Sequence, residues 1–264
     1  MLTKRHDLPI VVCFEIFAAL VTVLAAPKLV VSAFLFFALP ALYLHVRSRF
    51  SFNYTKIIAA VLSLGVSLSA LDFAMSSNQG WTLPPEQMLV VPGMFGFWSF
   101  DNTIWALFYV FFLVSFYEYF LDDERSRILS TDFSRFVWLP ISVTALVFFL
   151  GFCTPPLTHP IIPYAYLSLV TIPVLFPLAV LIYRKKNLLT LLGKFTLANA
   201  FIAVVNLVHE LTALSAHQWY FAGEYIGQVA IFGIAFPIEE FVLYVLLSGY
   251  AFLAYYELYV DDGR

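Results

Sequence analysis

The stretch FPIEEFVLYVLL, residues 236–247, joins two adjacent carboxylates to a long apolar run. Pro237 stands where a helix can begin, because the N–H group that proline lacks would have no partner in the first turn. The helix that follows carries Glu239 and Glu240 into an apolar environment, where ionisable side chains are costly and commonly functional. Negative charge is also favoured at a helix N-terminus, but one acid would suffice for that role. The pair therefore predicts a functional site at the start of a membrane-spanning helix.

The rest of the chain is equally apolar. Of its 264 residues, 62% are hydrophobic and 12% are charged, whereas soluble domains carry about 25% charged residues. A helix needs about 20 residues to cross the hydrocarbon core of a bilayer. Runs of that kind are predicted at 8–26, 29–46, 56–75, 102–121, 136–154, 161–183, 189–213 and 238–260. The predicted fold class is an all-α, polytopic transmembrane bundle of about eight helices, or seven if the first run is an interfacial or signal segment.

The basic residues predict the orientation of this bundle. With eight helices, Lys28 alone among the 14 Lys and Arg residues falls on the far side. Basic loops stay in the cytoplasm. Both termini are therefore expected to be cytoplasmic, in an integral protein of the plasma membrane. The far-side loops, 75–101 and 214–237, are rich in aromatic residues and predict interfacial belts or re-entrant segments.

An internal duplication relates the two halves of the chain, at an offset of 137–139 residues. Asp72 and Trp81 match Glu210 and Trp219, and each tryptophan is followed five positions later by a glutamate. The sequence therefore predicts two parallel four-helix repeats, residues 1–132 and 133–264, related by an axis along the membrane normal. In this alignment Asp101 falls opposite Glu240, and the first repeat lacks the proline and the first glutamate.

Several kinds of site are excluded by the residues. The chain has no nucleotide-binding glycine loop and no basic stripe with interleaved aromatics that would bind nucleic acid. The string HELTA, residues 209–213, lacks the second histidine of a zinc-protease motif, so no metal site is expected, and no cofactor.

Intramembrane acids and abundant aromatic rings remain. A carboxyl in an apolar pocket stays protonated near neutral pH and can donate its proton to an alkene. Aromatic faces can stabilise the resulting cation without reacting with it. This combination permits acid-initiated chemistry on a polyene.

The segments 218–221, 231–241 and 255–257 together resemble the lycopene cyclase domain, the small, duplicated, membrane-embedded type of heterodimeric bacterial and fused archaeal or fungal cyclases. The Pro-x-Glu-Glu signature, the upstream tryptophan and glutamate, and the duplication carry the resemblance, which covers roughly residues 29–123 and 161–262. It implies a carotenoid-biosynthesis enzyme that converts the linear ψ-ends of lycopene into β-rings without net redox change. Because only the second repeat has the complete signature, one active site is expected there.

The resemblance and the duplication together assign roles to eleven residues. Expected catalytic residues are Glu239, Glu240, Glu210 and Asp101, with Glu240 favoured as the acid. Expected substrate-binding residues are Glu224, Trp219, Asp72, Glu86, Trp81, Phe236 and Tyr244. Among these, Glu210 and Glu224 would position, relay or take back the proton.

The expected partners are lycopene or a related hydrophobic polyene, membrane lipid, and a second copy or another subunit in a homo- or hetero-oligomer. Two other functions remain open at this point. One is a different carotenoid- or terpenoid-modifying enzyme with the same protonation step, such as a hydratase or another cyclase. The other is a non-catalytic carotenoid-binding or partner subunit. Proton-coupled transport is disfavoured, because no matched pair of glycine-rich broken helices is present.

Overall fold

The computed structural model describes residues 4–48, 53–89, 99–122, 129–138, 141–142, 145, 162–184 and 188–261. Within these residues, seven helices are long and apolar enough to cross a membrane, which indicates an integral membrane protein. They are α1 (Lys4–Ala25), α2 (Leu29–Arg47), α3 (Tyr54–Ser77), α4 (Phe100–Phe120), α5 (Ala165–Arg184), α6 (Leu188–Ser215) and α7 (Glu240–Val260). All seven were predicted from the apolar runs. The remaining predicted helix, 136–154, lies largely outside the described residues.

Side chains explain where the helices begin. The Asn53 side chain accepts a hydrogen bond from the N–H of Thr55 and caps α3. Ser99 caps α4 in the same way, since its hydroxyl accepts from the N–H of Asp101 at 3.0 Å. Both residues satisfy an N–H group that the first helical turn leaves unpaired.

Helix α7 starts with a π-helical stretch, Glu240–Leu247, before it continues as an α-helix. Such wider turns are rare and often occur at functional sites. This stretch begins at the diglutamate motif, whereas two others, Phe34–Ala38 in α2 and Tyr256–Val260 at the end of α7, lie away from it.

The loop before α7 contains a β-hairpin, with β1 (Gln228–Ile231) paired antiparallel to β2 (Ile234–Pro237). Its turn residues, Phe232 and Gly233, have φ angles of 52° and 83°, as expected for a two-residue turn that suits the twist of a hairpin. The sequence predicted aromatic belts or re-entrant segments here, not strands. Four residues per strand are too few for a clear alternating pattern.

The bundle has two chemically different ends. At the charged end, defined by Lys56, Glu118, Asp122, Glu257 and Asp261, the buried Lys56 ammonium forms an ion pair with Asp261. At the loop end, formed by residues 75–89 and 216–239, the two loops pair through the backbone groups of Thr82 and Tyr220. The loop end holds the cavity described next.

Candidate active-site cavity

A cavity of about 130 Å³ lies at the loop end, among helices α3, α4, α5, α6 and α7. Its walls are mainly apolar, and among the described residues three carboxyl side chains line it: Asp72 from α3, Glu210 from α6 and Glu240 from α7. All three side chains are buried. The cavity therefore joins acids from both halves of the sequence in one apolar compartment.

Aromatic rings supply much of the remaining wall. Trp105 and Tyr109 stack with their ring centres 5.7 Å apart and an interplanar angle of 7°. The ring of Tyr244 lies 5.8 Å from each of them. The rings that line the cavity are Trp81, Trp105, Tyr109, Tyr166, Trp219, Phe221, Tyr244 and Phe252. Ring faces at this density suit a ligand that is apolar or carries delocalised positive charge.

The two adjacent glutamates have different environments. Glu240 lines the cavity, where Tyr166 hydrogen-bonds to it and its Oε2 has no partner among the described residues. Glu239 instead accepts a hydrogen bond from the N–H of Ile226 at 2.6 Å. Successive residues of a helix project about 100° apart, so neighbouring acids cannot face the same site. Glu239 holds the base of the hairpin, and Glu240 faces the cavity.

Each half of the chain contributes one acid that is bonded to a tryptophan nine positions later. The indole N–H of Trp81 donates to Asp72 at 2.6 Å, and that of Trp219 donates to Glu210 at 3.2 Å. In both acids, the second carboxyl oxygen lacks a hydrogen-bond partner among the described residues. Buried oxygens without partners are costly, and a ligand or water that bonded to them would relieve that cost.

The neighbours of these acids differ between the halves. The side-chain amide of Asn102 donates to Asp72 at 2.7 Å, whereas the corresponding neighbour of Glu210 is Glu240, whose charge acts on it. Asp101 accepts from the N–H of Leu89 at 2.8 Å, as Glu239 does from Ile226. By its contacts, Asp101 therefore resembles Glu239 more than Glu240, the residue opposite it in the alignment.

Six of the eleven predicted site residues line the cavity: Asp72, Trp81, Glu210, Trp219, Glu240 and Tyr244. The other five lie elsewhere. Glu86 and Glu224 are exposed in the loops. Phe236 is buried beside Phe241, with ring centres 6.3 Å apart, and Asp101 and Glu239 bond to loop backbone.

Sequence reasoning missed several residues of the wall. Asn102, Trp105 and Tyr109 recur at i, i+3 and i+7 of α4, which is the spacing of one helical face. That spacing could have predicted these wall residues, because it starts next to Asp101, which was already a predicted site residue. Tyr166 had no such signal, since its role depends on the packing of α5 beside α7.

Some polar residues outside the cavity have structural partners. The Asn206 amide donates to the hydroxyl of Tyr109 at 3.0 Å and so ties α6 to α4. At the charged end, carboxylate oxygens of Glu118, Asp122 and Asp261 lie within 4.8 Å of one another. Oxygen clusters of this kind can hold hard cations. Here Lys56 and Lys194 form ion pairs with Asp261 and Asp122, so lysines balance part of the charge.

No family model, no curated protein and no solved structure matches this chain. A proposal about its function rests on the cavity and on the sequence motifs.

Proposed function

We propose that this chain is a membrane enzyme of carotenoid biosynthesis that closes the linear end of a polyene such as lycopene into a β-ring by acid–base catalysis. The observation that carries the proposal is the cavity itself. It combines three buried carboxyls with eight aromatic rings in an otherwise apolar wall. Initiating a cationic cyclisation needs an acid, and completing it needs a base and surroundings that do not trap the cation.

The proposed reaction is an isomerisation in which one proton is added and one is removed. Glu240 donates a proton to C2 of the terminal alkene, which leaves a cation at C1. The C5–C6 double bond attacks C1, the C1–C6 bond forms, and the positive charge moves to C5. Loss of the proton on C6 gives the β-ring and requires no oxidant or cofactor.

Glu210 is suited to keep Glu240 protonated. Two carboxylates in one apolar compartment repel each other, and a proton shared between them relieves that repulsion. Glu210 and Glu240 interact in this way, and Trp219 donates to Glu210. We propose that Glu210 positions the proton on Glu240.

The aromatic wall favours cyclisation over hydration. The rings of Trp105, Tyr109 and Tyr244 lie within 6 Å of one another at the cavity. Their faces can stabilise positive charge at about 0.5–2 kcal/mol per contact, and they bring no nucleophile. A hydratase would instead need an ordered water next to the cation, which an apolar wall disfavours.

We further propose that the two halves are parallel four-helix repeats and that both termini face the cytoplasm of a plasma-membrane protein. Paired contacts support the repeats. Tyr117 donates to Glu257, and Tyr256 donates to Glu118, so equivalent residues exchange partners across the bundle.

Pigment analysis tests the proposal. The full chain is expressed in a bacterial host that accumulates lycopene, its presence in the membrane fraction is verified by immunoblot, and the carotenoids are separated by chromatography. β-Carotene or γ-carotene is expected, and γ-carotene would indicate that one end is cyclised. Unchanged lycopene, with the protein present in the membrane, would refute the proposal.

Three matched variants locate the acid. Glu240→Gln is expected to lower ring formation about 100-fold or more, since an amide cannot donate the proton. Glu15→Gln is the control, because Glu15 is also a buried membrane carboxyl but lies in α1, away from the cavity wall. Glu239→Gln is expected to have a much smaller effect than Glu240→Gln. Equal activity of Glu240→Gln and the unmodified chain would show that the assignment is wrong.

A further inference from the structure

The first half of the chain contributes a carboxylate that differs from the other two in the cavity. Asp72 Oδ1 accepts from the indole N–H of Trp81 at 2.6 Å and from the amide of Asn102 at 2.7 Å. The hydroxyl of Ser76 lies 3.5 Å from the same oxygen. An ionised carboxylate only accepts hydrogen bonds, so two short N–H donors on one oxygen suit the ionised form.

The corresponding acid of the second half, Glu210, does not have two short N–H donors. Glu210 receives one longer bond, from Trp219 at 3.2 Å, and its other neighbour is the carboxyl of Glu240 instead of an amide. A proton placed in this cavity is therefore better held by the Glu210–Glu240 pair than by Asp72. Two differences create this contrast: the shorter bond from the tryptophan to Asp72, and Asn102 in the position that Glu240 occupies in the second half.

We infer that Asp72 is the general base of the cavity, the group that removes the proton from C6 after ring closure, and that Trp81 and Asn102 keep it ready to accept. This inference rests on the proposed cyclisation and adds the residue that ends it. Its Oδ2 has no partner among the described residues and is the oxygen that receives the proton. The C6–H electrons form the C5–C6 double bond as the proton moves to Oδ2, so charge and atoms balance. The proton then returns to the Glu210–Glu240 pair, directly or through water.

The base determines which ring isomer forms, and that gives the inference a specific readout. The C5 cation can lose a proton from C6, from C4 or from the methyl group on C5, which gives a β-, an ε- or a γ-ring. A base fixed near C6 selects the β-ring. Without it, the other two positions compete, and a residue that merely stabilised the fold would change the yield but not this ratio.

Asp72→Asn tests the inference in the lycopene-accumulating host. The expected result is a fall in β-rings of about 100-fold or more, with ε- or γ-rings making up most of what is still cyclised. Asp72→Glu, which keeps a carboxyl, is expected to restore the β-ring as the main product. Glu15→Gln serves again as the control for removing a buried membrane carboxyl.

The outcomes separate this inference from the proposed function. If the unmodified chain forms no ring, the proposed function fails. If the unmodified chain forms rings and Asp72→Asn gives the same rate and isomer ratio, the inference alone is overturned. Loss of every cyclised product in Asp72→Asn overturns it too, because Asp72 would then act before ring closure. If Asp72→Asn is absent from the membrane, Trp81→Phe replaces it as the test. This variant removes the indole N–H that donates to Asp72 at 2.6 Å. An unchanged share of β-rings in Trp81→Phe would overturn the inference.

Discussion

Replacing Lys56 by methionine is expected to destabilise the bundle strongly, because the change removes the ammonium group of a buried ion pair. Lys56 is 1% exposed and Asp261 is 3% exposed, and the two form an ion pair. Carboxylate oxygens of Glu118 and Asp122 lie within 4.8 Å of those of Asp261, so their repulsion adds to the loss. Removing one partner of a buried pair costs about 3–5 kcal/mol. At about 2–4 °C per kcal/mol, the melting temperature should fall by roughly 6–20 °C.

The chain offers a matched control for this change. Lys194 lies 3.9 Å from Asp122, and its side chain is 25% exposed. A partly exposed pair contributes about 0–1 kcal/mol, so Lys194→Met should lower the melting temperature by at most about 4 °C. Removing both partners of a buried pair is often nearly neutral. The double variant Lys56→Met with Asp261→Asn should therefore recover most of the loss.

The assay is thermal unfolding of the purified protein in detergent, followed by tryptophan fluorescence and by the fraction that remains monodisperse after heating. Equal shifts for Lys56→Met and Lys194→Met would refute the reasoning, since burial would then not matter. So would a double variant that is no more stable than Lys56→Met, because the buried charge of Asp261 would then not be the cause of the loss.

Three further predictions use the same unfolding assay. In Gly65→Ala the added Cβ would lie 2.4 Å from Leu107 Cδ2, so displacing the Leu107 side chain should cost about 1 kcal/mol. Gly193→Ala, which meets nothing within 4 Å, should instead stabilise by about 0.5–1 kcal/mol, and similar shifts for the two would contradict the argument. Glu239→Ala should cost about 1–3 kcal/mol by leaving the N–H of Ile226 unpaired, whereas Glu239→Gln keeps an acceptor oxygen and should cost less. Burial raises the pKa of Tyr225 from 10.0 to about 12, and its hydroxyl donates to Gly80. The stability that this bond adds over Tyr225→Phe should be full below pH 10 and lost as the pH rises from 10 to 12, and a difference that stays constant over that range would contradict it.

Hydropathy was sufficient to predict the helices because the membrane allows few alternatives. Every buried backbone N–H and C=O group in hydrocarbon needs a partner within its own segment, so an apolar run of spanning length forms a helix. The observed α2, at Leu29–Arg47, and α7, at Glu240–Val260, differ from the predicted 29–46 and 238–260 by at most two residues. The hairpin was missed because loop structure depends on short local signals. Its turn, Phe232–Gly233, carries little sequence information beyond one glycine.

The sequence predicted the candidate site correctly only for residues whose side chains are energetically costly to bury in a membrane. Asp72, Glu210 and Glu240 could be selected because a carboxyl within a spanning helix needs a reason. Glu86 and Glu224 were selected by their spacing in the duplication and by the resemblance, and both are exposed in loops, where an ionised carboxylate is not energetically costly. Tyr166 could not be selected, because aromatic residues are common throughout the chain and only its packing against Glu240 distinguishes it.

Some contacts of the cavity acids occur in both halves of the chain, and one occurs in only one half. This difference helps to distinguish structural contacts from contacts with a chemical role. The indole–carboxyl bond occurs in both halves, and so does the bond from a loop N–H to the acid at the start of a helix, in Asp101 and Glu239. Under the proposed duplication, contacts that both repeats have kept are those that the fold requires. The exception is Asn102, an amide where the second half has Glu240. Asn102 and Glu240 differ in side-chain length as well as in chemistry, and of the two only the carboxyl of Glu240 can give up a proton. Under the proposed mechanism, the Glu210–Glu240 pair holds the proton and Asp72 accepts it, which a symmetric pair of sites would not do.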